Sequence, residues 1–155
     1  MKLKILWPGR TNDKNIKGLQ DFYLKRINQL EKCELIETKQ AKGIAEKFTT
    51  RIKKIEAEGL EKYFKDDYII CLFHEGKEMN SKEFAVLLEK ISLRSARVIT
   101  FVIGGFLGLE EKILKKADFL LSLSKMTFSH ELTRVILLEQ IYRSLTILKS
   151  MQYAK

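Results

Sequence analysis

Three glycines within five positions, Gly104, Gly105 and Gly108, follow an apolar, β-branched run over residues 98–103. Such a run reads as a strand buried on both faces, the pattern of a parallel sheet. Glycines just past its carboxyl end let backbone approach whatever sits there, because no Cβ intervenes. In open α/β sheets that rim is where ligands bind. A tight strand-to-helix turn with no ligand explains the same residues, so both readings stand here. The spacing is Gly-Gly-x-x-Gly, not the Gly-x-Gly-x-x-Gly of a dinucleotide site.

Two more loops follow apolar runs, at 72–77 and 123–129. With right-handed crossovers the three strand ends share one edge. Leu72 then offers an apolar wall, Gly104 and Gly105 offer close backbone, and residues 123–128 offer amides and carbonyls beside Met126 and Phe128. An apolar pocket with a few fixed hydrogen bonds suits a nucleoside-like ligand. The glycines are followed by no Lys-Ser or Lys-Thr pair, which argues against a nucleoside triphosphate.

Other chemistries find less support. His74 and His130 are far apart and have no Cys, His or Asp at a ligand spacing, so no metal is expected. Ser122, Ser124 and Ser129 sit in no nucleophile elbow. His130, beside a capping serine, reads as a first-turn residue more readily than as a base. Arg134 and Arg143 lie nine residues apart on the last helix and do not share a face. Each suits RNA, a subunit partner, or a salt bridge with Glu131 or Glu139. Tyr153, in the tail, is either a stacking group for a base or an idle aromatic.

These residues need elements to position them. The pattern predicts strands at 3–7, 33–37, 68–73, 98–103 and 119–122. Helices are predicted at 15–32, 42–62, from a cap at Asn80 to about 91, at 109–117, and from a cap at Ser129 to about 150. A βα unit repeated five times predicts a three-layer α/β sandwich with a mostly parallel sheet, and one domain over 1–155.

At 155 residues and 45% hydrophobic content, the chain can bury a real core. The net charge is +9, with 16 basic and 11 acidic residues up to Tyr68 and 13 and 9 beyond it. The excess therefore belongs to a folded surface and favours a phosphate-rich partner such as RNA. Cys33 and Cys71 fall in strand-like runs and read as buried hydrophobes in a reducing compartment. The first apolar run breaks at Pro8 and Gly9, too soon for a signal peptide, and no run approaches a membrane span. A soluble cytoplasmic protein is expected.

Three blocks together resemble one family. Phe101-Val-Ile-Gly-Gly-x-x-Gly-Leu109, Leu121-Ser-Leu-Ser-Lys-Met-Thr-Phe-Ser-His130 and Arg134-Val-x-x-x-Glu-Gln-x-Tyr-Arg143 are similar to the ribosomal RNA large-subunit methyltransferase H family of the SPOUT class. The resemblance spans the whole chain. It implies an S-adenosylmethionine-dependent enzyme that methylates N3 of a pseudouridine in helix 69 of 23S ribosomal RNA on the assembled ribosome. It also implies a SPOUT-type fold with a carboxyl-terminal trefoil knot, and a homodimer whose subunits complete each other's active site. Cofactor contacts carry over onto Leu72, Gly104, Leu123, Ser124, Lys125, Met126, Thr127 and Phe128. Arg143 and Tyr153 become the candidates for binding or orienting the base, and no residue stands out as proton acceptor.

Three positions depart from the family pattern: Phe106 replaces the usual Pro, Phe73 an acidic residue, and Ala154 the tail histidine. The last motivates two alternatives to an active enzyme on the ribosome. One is a ribosome-binding SPOUT homologue with weak or no activity. The other is a SPOUT methyltransferase acting on another RNA, such as tRNA.

Overall fold

The structure, a computed structural model, describes residues 1–94 and 98–153. Ala154, the departure in the tail, lies outside them. The elements run β1 (Lys2–Pro8), α1 (Lys14–Leu30), β2 (Lys32–Thr38), α2 (Thr49–Glu61), β3 (Tyr68–Lys77), α3 (Ser81–Arg94), β4 (Ile99–Val102), α4 (Glu111–Lys115), β5 (Phe119–Leu121) and α5 (His130–Leu148). The strands form one sheet in the order β2-β1-β4-β3-β5, and every pairing is parallel.

Strand alternation divides the core between the two faces of the sheet. Leu3, Ile5, Trp7, Ile99 and Phe101 pack under α1, α3 and α5. Leu6, Ile69, Cys71 and Val102 pack under α2 and α4. This is the three-layer sandwich expected from the βα repeat. Connections through α1 and α3 step one way along the sheet, and those through α2 and α4, on the other face, step the opposite way. All four crossovers therefore share one hand. All five strands end at the same edge, where β3 and β4, neighbours in the sheet, send their helices to opposite faces.

Local signals set the helix starts. Asp13 caps α1 by accepting from the Asn15 and Ile16 amides. Asn80 and Glu83 form a reciprocal capping box, with bonds of 2.8 and 2.9 Å. Ser129 caps α5, accepting from the Leu132 amide. Both cysteines are free and buried, and burial pushes each thiol up to about 12.

Two boundaries differ from the sequence pattern. α2 starts at Thr49 rather than 42. The early residues have helical spacing but nothing to bury against: Phe48 stays 51% exposed. Packing of an apolar face supplies most helix stability, so spacing alone does not hold the first turns. β3 runs on to Lys77, through the segment read as a loop. Leu72 and Lys77 both pair with Leu121, and residues 73–76 bulge between them.

Candidate functional site

The three loops at the carboxyl edge enclose a cavity of about 350 Å³. Leu72, Phe73 and His74 come from the bulge of β3. Residues 103–109 come from the turn after β4, and 121–128 from β5 and the chain beyond it. Among the described residues no Asp or Glu lines it. Its walls are mostly apolar side chains and backbone, with Lys53, His74, Thr127, His130 and Thr133 among the polar groups.

The glycine turn is built by close approach. A Cβ on Gly104 would stand 2.5 Å from the Gly108 carbonyl carbon, because the turn folds back on itself through the Gly108 amide and Gly105 carbonyl. A Cβ on Gly105 would stand 2.6 Å from a Glu56 carboxylate oxygen. The tight-turn reading thus accounts for both glycines, and the turn still presents its backbone to the cavity. The 123–128 segment is held by its own serines. Ser122 Oγ donates to the Ser124 carbonyl and the Met126 amide donates to Ser124 Oγ, each at 3.0 Å.

Leu72, Gly104 and residues 123–128 except Lys125 line this one cavity. Lys125 is exposed and outside the lining. Phe106 and Met126 stand exposed at the mouth. His130 is the first residue of α5 and lines the cavity, its ring 6.3 Å from Phe106. Burial, and then the Arg134 charge, hold His130 below the usual histidine value, so it is neutral at neutral pH. Among the described residues no three His, Cys, Asp or Glu converge as metal ligands.

Arg143 and Tyr153 lie elsewhere. Arg143 binds Glu139 through Nε and Nη2, at 3.0 and 2.6 Å, and its guanidinium sits 4.7 Å from the centre of the Tyr153 ring. Tyr153 also packs on Tyr142. Burial, then a hydrogen bond with Tyr23, raise the Tyr153 phenol. The two residues meet each other, on the α1–α5 face, and neither lines the cavity. A shallow basic and aromatic depression adjoins them, lined by Phe22, Lys25, Arg26, Gln29 and Tyr142.

Arg134 departs from every role its sequence position suggested. It is 1% exposed, donates to the Pro8 carbonyl at 2.8 Å and Thr11 Oγ1 at 2.9 Å, and lies over the Trp7 ring. Burial lowers its pKa to about 10. It ties α5 to the end of β1. Glu131, its proposed partner, accepts from the Asn12 and Asp13 amides instead.

Sequence reasoning missed Lys53 and Thr133, which line the cavity, and Glu56, which backs the glycine turn. α2 returns antiparallel to the strands, so its amino end starts beside the glycine turn. That neighbourhood depends on which strand α2 crosses to, and no local spacing records it.

Comparison with known proteins follows the same lines. A family model described as "Predicted SPOUT methyltransferase" matches residues 1–154. The protein named Ribosomal RNA large subunit methyltransferase H of Thermodesulfovibrio yellowstonii is 41% identical over 152 residues, covering 98% of this chain and 97% of its own. The protein of the same name from Clostridium botulinum is 40% identical over 159 residues and is covered, like this chain, in full. Among solved structures, a probable methyltransferase from Bordetella pertussis superposes with a TM-score of 0.60 at 11% identity, over 93% of this chain and 94% of that one. The tRNA (m1G37) methyltransferase of Aquifex aeolicus gives 0.52 at 14% identity, over 92% and 70%. These two likenesses speak for the fold.

Proposed function

The chain belongs to the SPOUT methyltransferase family, beside relatives named ribosomal RNA large subunit methyltransferase H, and from that premise we propose that it transfers a methyl group from S-adenosylmethionine to ribosomal RNA. The target in this reading is N3 of a pseudouridine in helix 69 of 23S ribosomal RNA, met on the assembled ribosome in the cytoplasm. The whole chain acts as one SPOUT domain.

The observation that carries the reading is the cavity, where Leu72, Gly104, Leu123, Ser124, Met126, Thr127 and Phe128 converge. Its size is within the roughly 300–1,000 Å³ usual for small-molecule sites. Apolar side chains and fixed backbone dipoles fit an adenosine and its sulfonium-bearing arm. S-adenosylmethionine, when bound, supplies an activated methyl group. The chain's own work is then to hold the ligand by backbone, exclude water and bring the base in line. N3 of pseudouridine carries a proton, so a cation near the developing anion lowers the barrier. Arg143 and Tyr153 are assigned to the base.

Within one chain those two residues are remote from the cavity, so the reading includes a homodimer in which each tail serves the partner's pocket. The α1–α5 face supports it by leaving Phe22 and Met151 exposed toward the Tyr153 end, and Leu19 and Leu132 exposed in the first turns of the same two helices. The reading also includes a carboxyl-terminal trefoil knot. In its favour, the SPOUT family model matches residues 1–154, the carboxyl-terminal segment included.

Transfer of labelled methyl from S-adenosylmethionine to ribosomes from a strain lacking this protein tests the reading, with the nucleoside identified by mass. Label on a helix 69 pseudouridine is the expected result, and it makes the tail histidine dispensable. Cofactor binding without label on ribosomes overturns it in favour of a binding protein or of another RNA, which label on bulk tRNA would identify.

A further inference from the structure

Many cations of this protein are neutralised where they stand. Lys4 pairs with Asp67, Lys17 with Asp21, Lys112 and Lys116 with Glu61, Lys115 with Glu111, and Lys149 with Glu31. Residues 42–54 are different. They hold Lys42, Lys47, Arg51, Lys53 and Lys54 against a single acid, Glu46, and so carry +4 of the chain's +9. Lys42, Lys47, Arg51 and Lys54 are exposed, and among the described residues no carboxylate holds any of the five in an ion pair.

Their location follows from topology. α2 descends from the carboxyl edge, so its amino end and the chain before it stand on the same side of the sheet as the cavity, which Lys53 lines. Arg51 and Lys54 are neighbours on its outer face at i, i+3. Lys53, half-buried, points the other way and lines the cavity. α2 has no acid in its first turn and no side-chain cap, so its dipole adds the same sign. Within this basic stretch Phe48 is 51% exposed, with Lys47 Nζ 5.2 Å from its ring centre. An aromatic face among unpaired cations is the composition that receives bases and phosphates of unpaired RNA.

We propose that residues 42–54 form a shelf for the RNA backbone beside the target nucleotide. Lys42, Lys47, Arg51 and Lys54 hold phosphates, Phe48 takes a neighbouring base, and Lys53 joins the shelf to the pocket. This rests on the RNA methyltransferase reading and adds to it the surface by which the substrate is held.

The test compares two triple variants with the same change in net charge. Lys47→Glu/Arg51→Glu/Lys54→Glu strips the shelf and leaves Lys53 and the pocket alone. Lys2→Glu/Lys62→Glu/Lys90→Glu changes exposed cations at the opposite edge of the sheet. The shelf variant should raise KM for ribosomes at least about tenfold, keep kcat and cofactor affinity, and flatten the slope of log K against log salt by about 2, near 0.7 per phosphate contact. The control should stay near wild type. Equal weakening by both variants reduces the effect to bulk charge and overturns the shelf, as does no effect of either. If the wild-type protein methylates nothing, the functional reading fails by itself. The shelf is then judged by filter binding to 23S ribosomal RNA, where loss in the shelf variant alone supports it. Binding to an acidic protein with none to RNA overturns it.

Discussion

The carboxyl edge of the sheet closes around a cavity, while the α1–α5 face holds Arg143 and Tyr153 away from it, among exposed apolar side chains. At the edge, five strand ends deliver loops to one place. Gly104 touches its own turn, Gly105 touches Glu56, and Arg134 crosses over Trp7 to pin α5 to β1. Each contact is made inside one chain, so folding alone assembles the cavity. The outer face carries Arg143 and Tyr153 at the end of a chain of rings running from Phe22 through Tyr23 to Tyr142. Its apolar side chains stay exposed. In the proposed homodimer, Arg143 and Tyr153 face a cofactor only through the second copy. Affinity for the cofactor and turnover of the base should therefore be separable by mutation.

Gly104→Ala should give the largest effect on binding. A methyl 2.5 Å from the Gly108 carbonyl carbon meets backbone, which cannot swing aside. The turn must open, and cofactor affinity, read by calorimetry, should fall at least about 100-fold, or some 2.8 kcal/mol. Unchanged affinity would show that the turn is not part of the ligand site.

Arg143→Ala should leave that affinity intact and lower kcat about 100-fold to 1,000-fold, the usual cost of losing one preorganised stabiliser of developing charge. The sharper experiment mixes the two variants. A heterodimer has one pocket with intact glycines facing one intact Arg143, so random pairing restores up to about a quarter of wild-type activity. No recovery after proven subunit exchange would mean that Arg143 serves its own chain, and the contrast between the two regions would collapse.

The contrast also explains what could be read from sequence. Strand order along the chain, capping at Asn80 and Ser129, and the clustering of Leu72, Gly104 and the 123–128 segment all follow from local pattern plus one topological rule. Nothing local says that Arg134 is buried, since its neighbours Glu131 and Glu139 offer it surface partners. Only the crossing of α5 over the end of β1 decides it. The same holds for Glu56 and Lys53, which approach the turn because α2 returns across β1 and β2 next to α4. The sequence pattern overextends α2 because Ile44 and Phe48 keep helical spacing with Ile52 and Ile55 but find no surface to pack on. Spacing reports which residues share a face, and the packing partner decides whether that face is used.

The smallest effect sits at the seam between the two regions, where α5 leaves the pocket rim. His130 is held below its ordinary value of 6.5 by burial and by Arg134, with Glu131 opposing. Below about pH 6.5 the unfolded chain takes up a proton at this position that the folded chain refuses. Stability is thus fully kept above that value and declines as pH falls through the window down to the folded pKa. His130→Gln removes the difference. Between pH 7.5 and 5.5 the wild-type Tm should drop by more than that of the variant. Equal drops would mean that the imidazole takes its proton as readily folded as unfolded. Arg134, then, would be electrostatically silent at the pocket it helps to build.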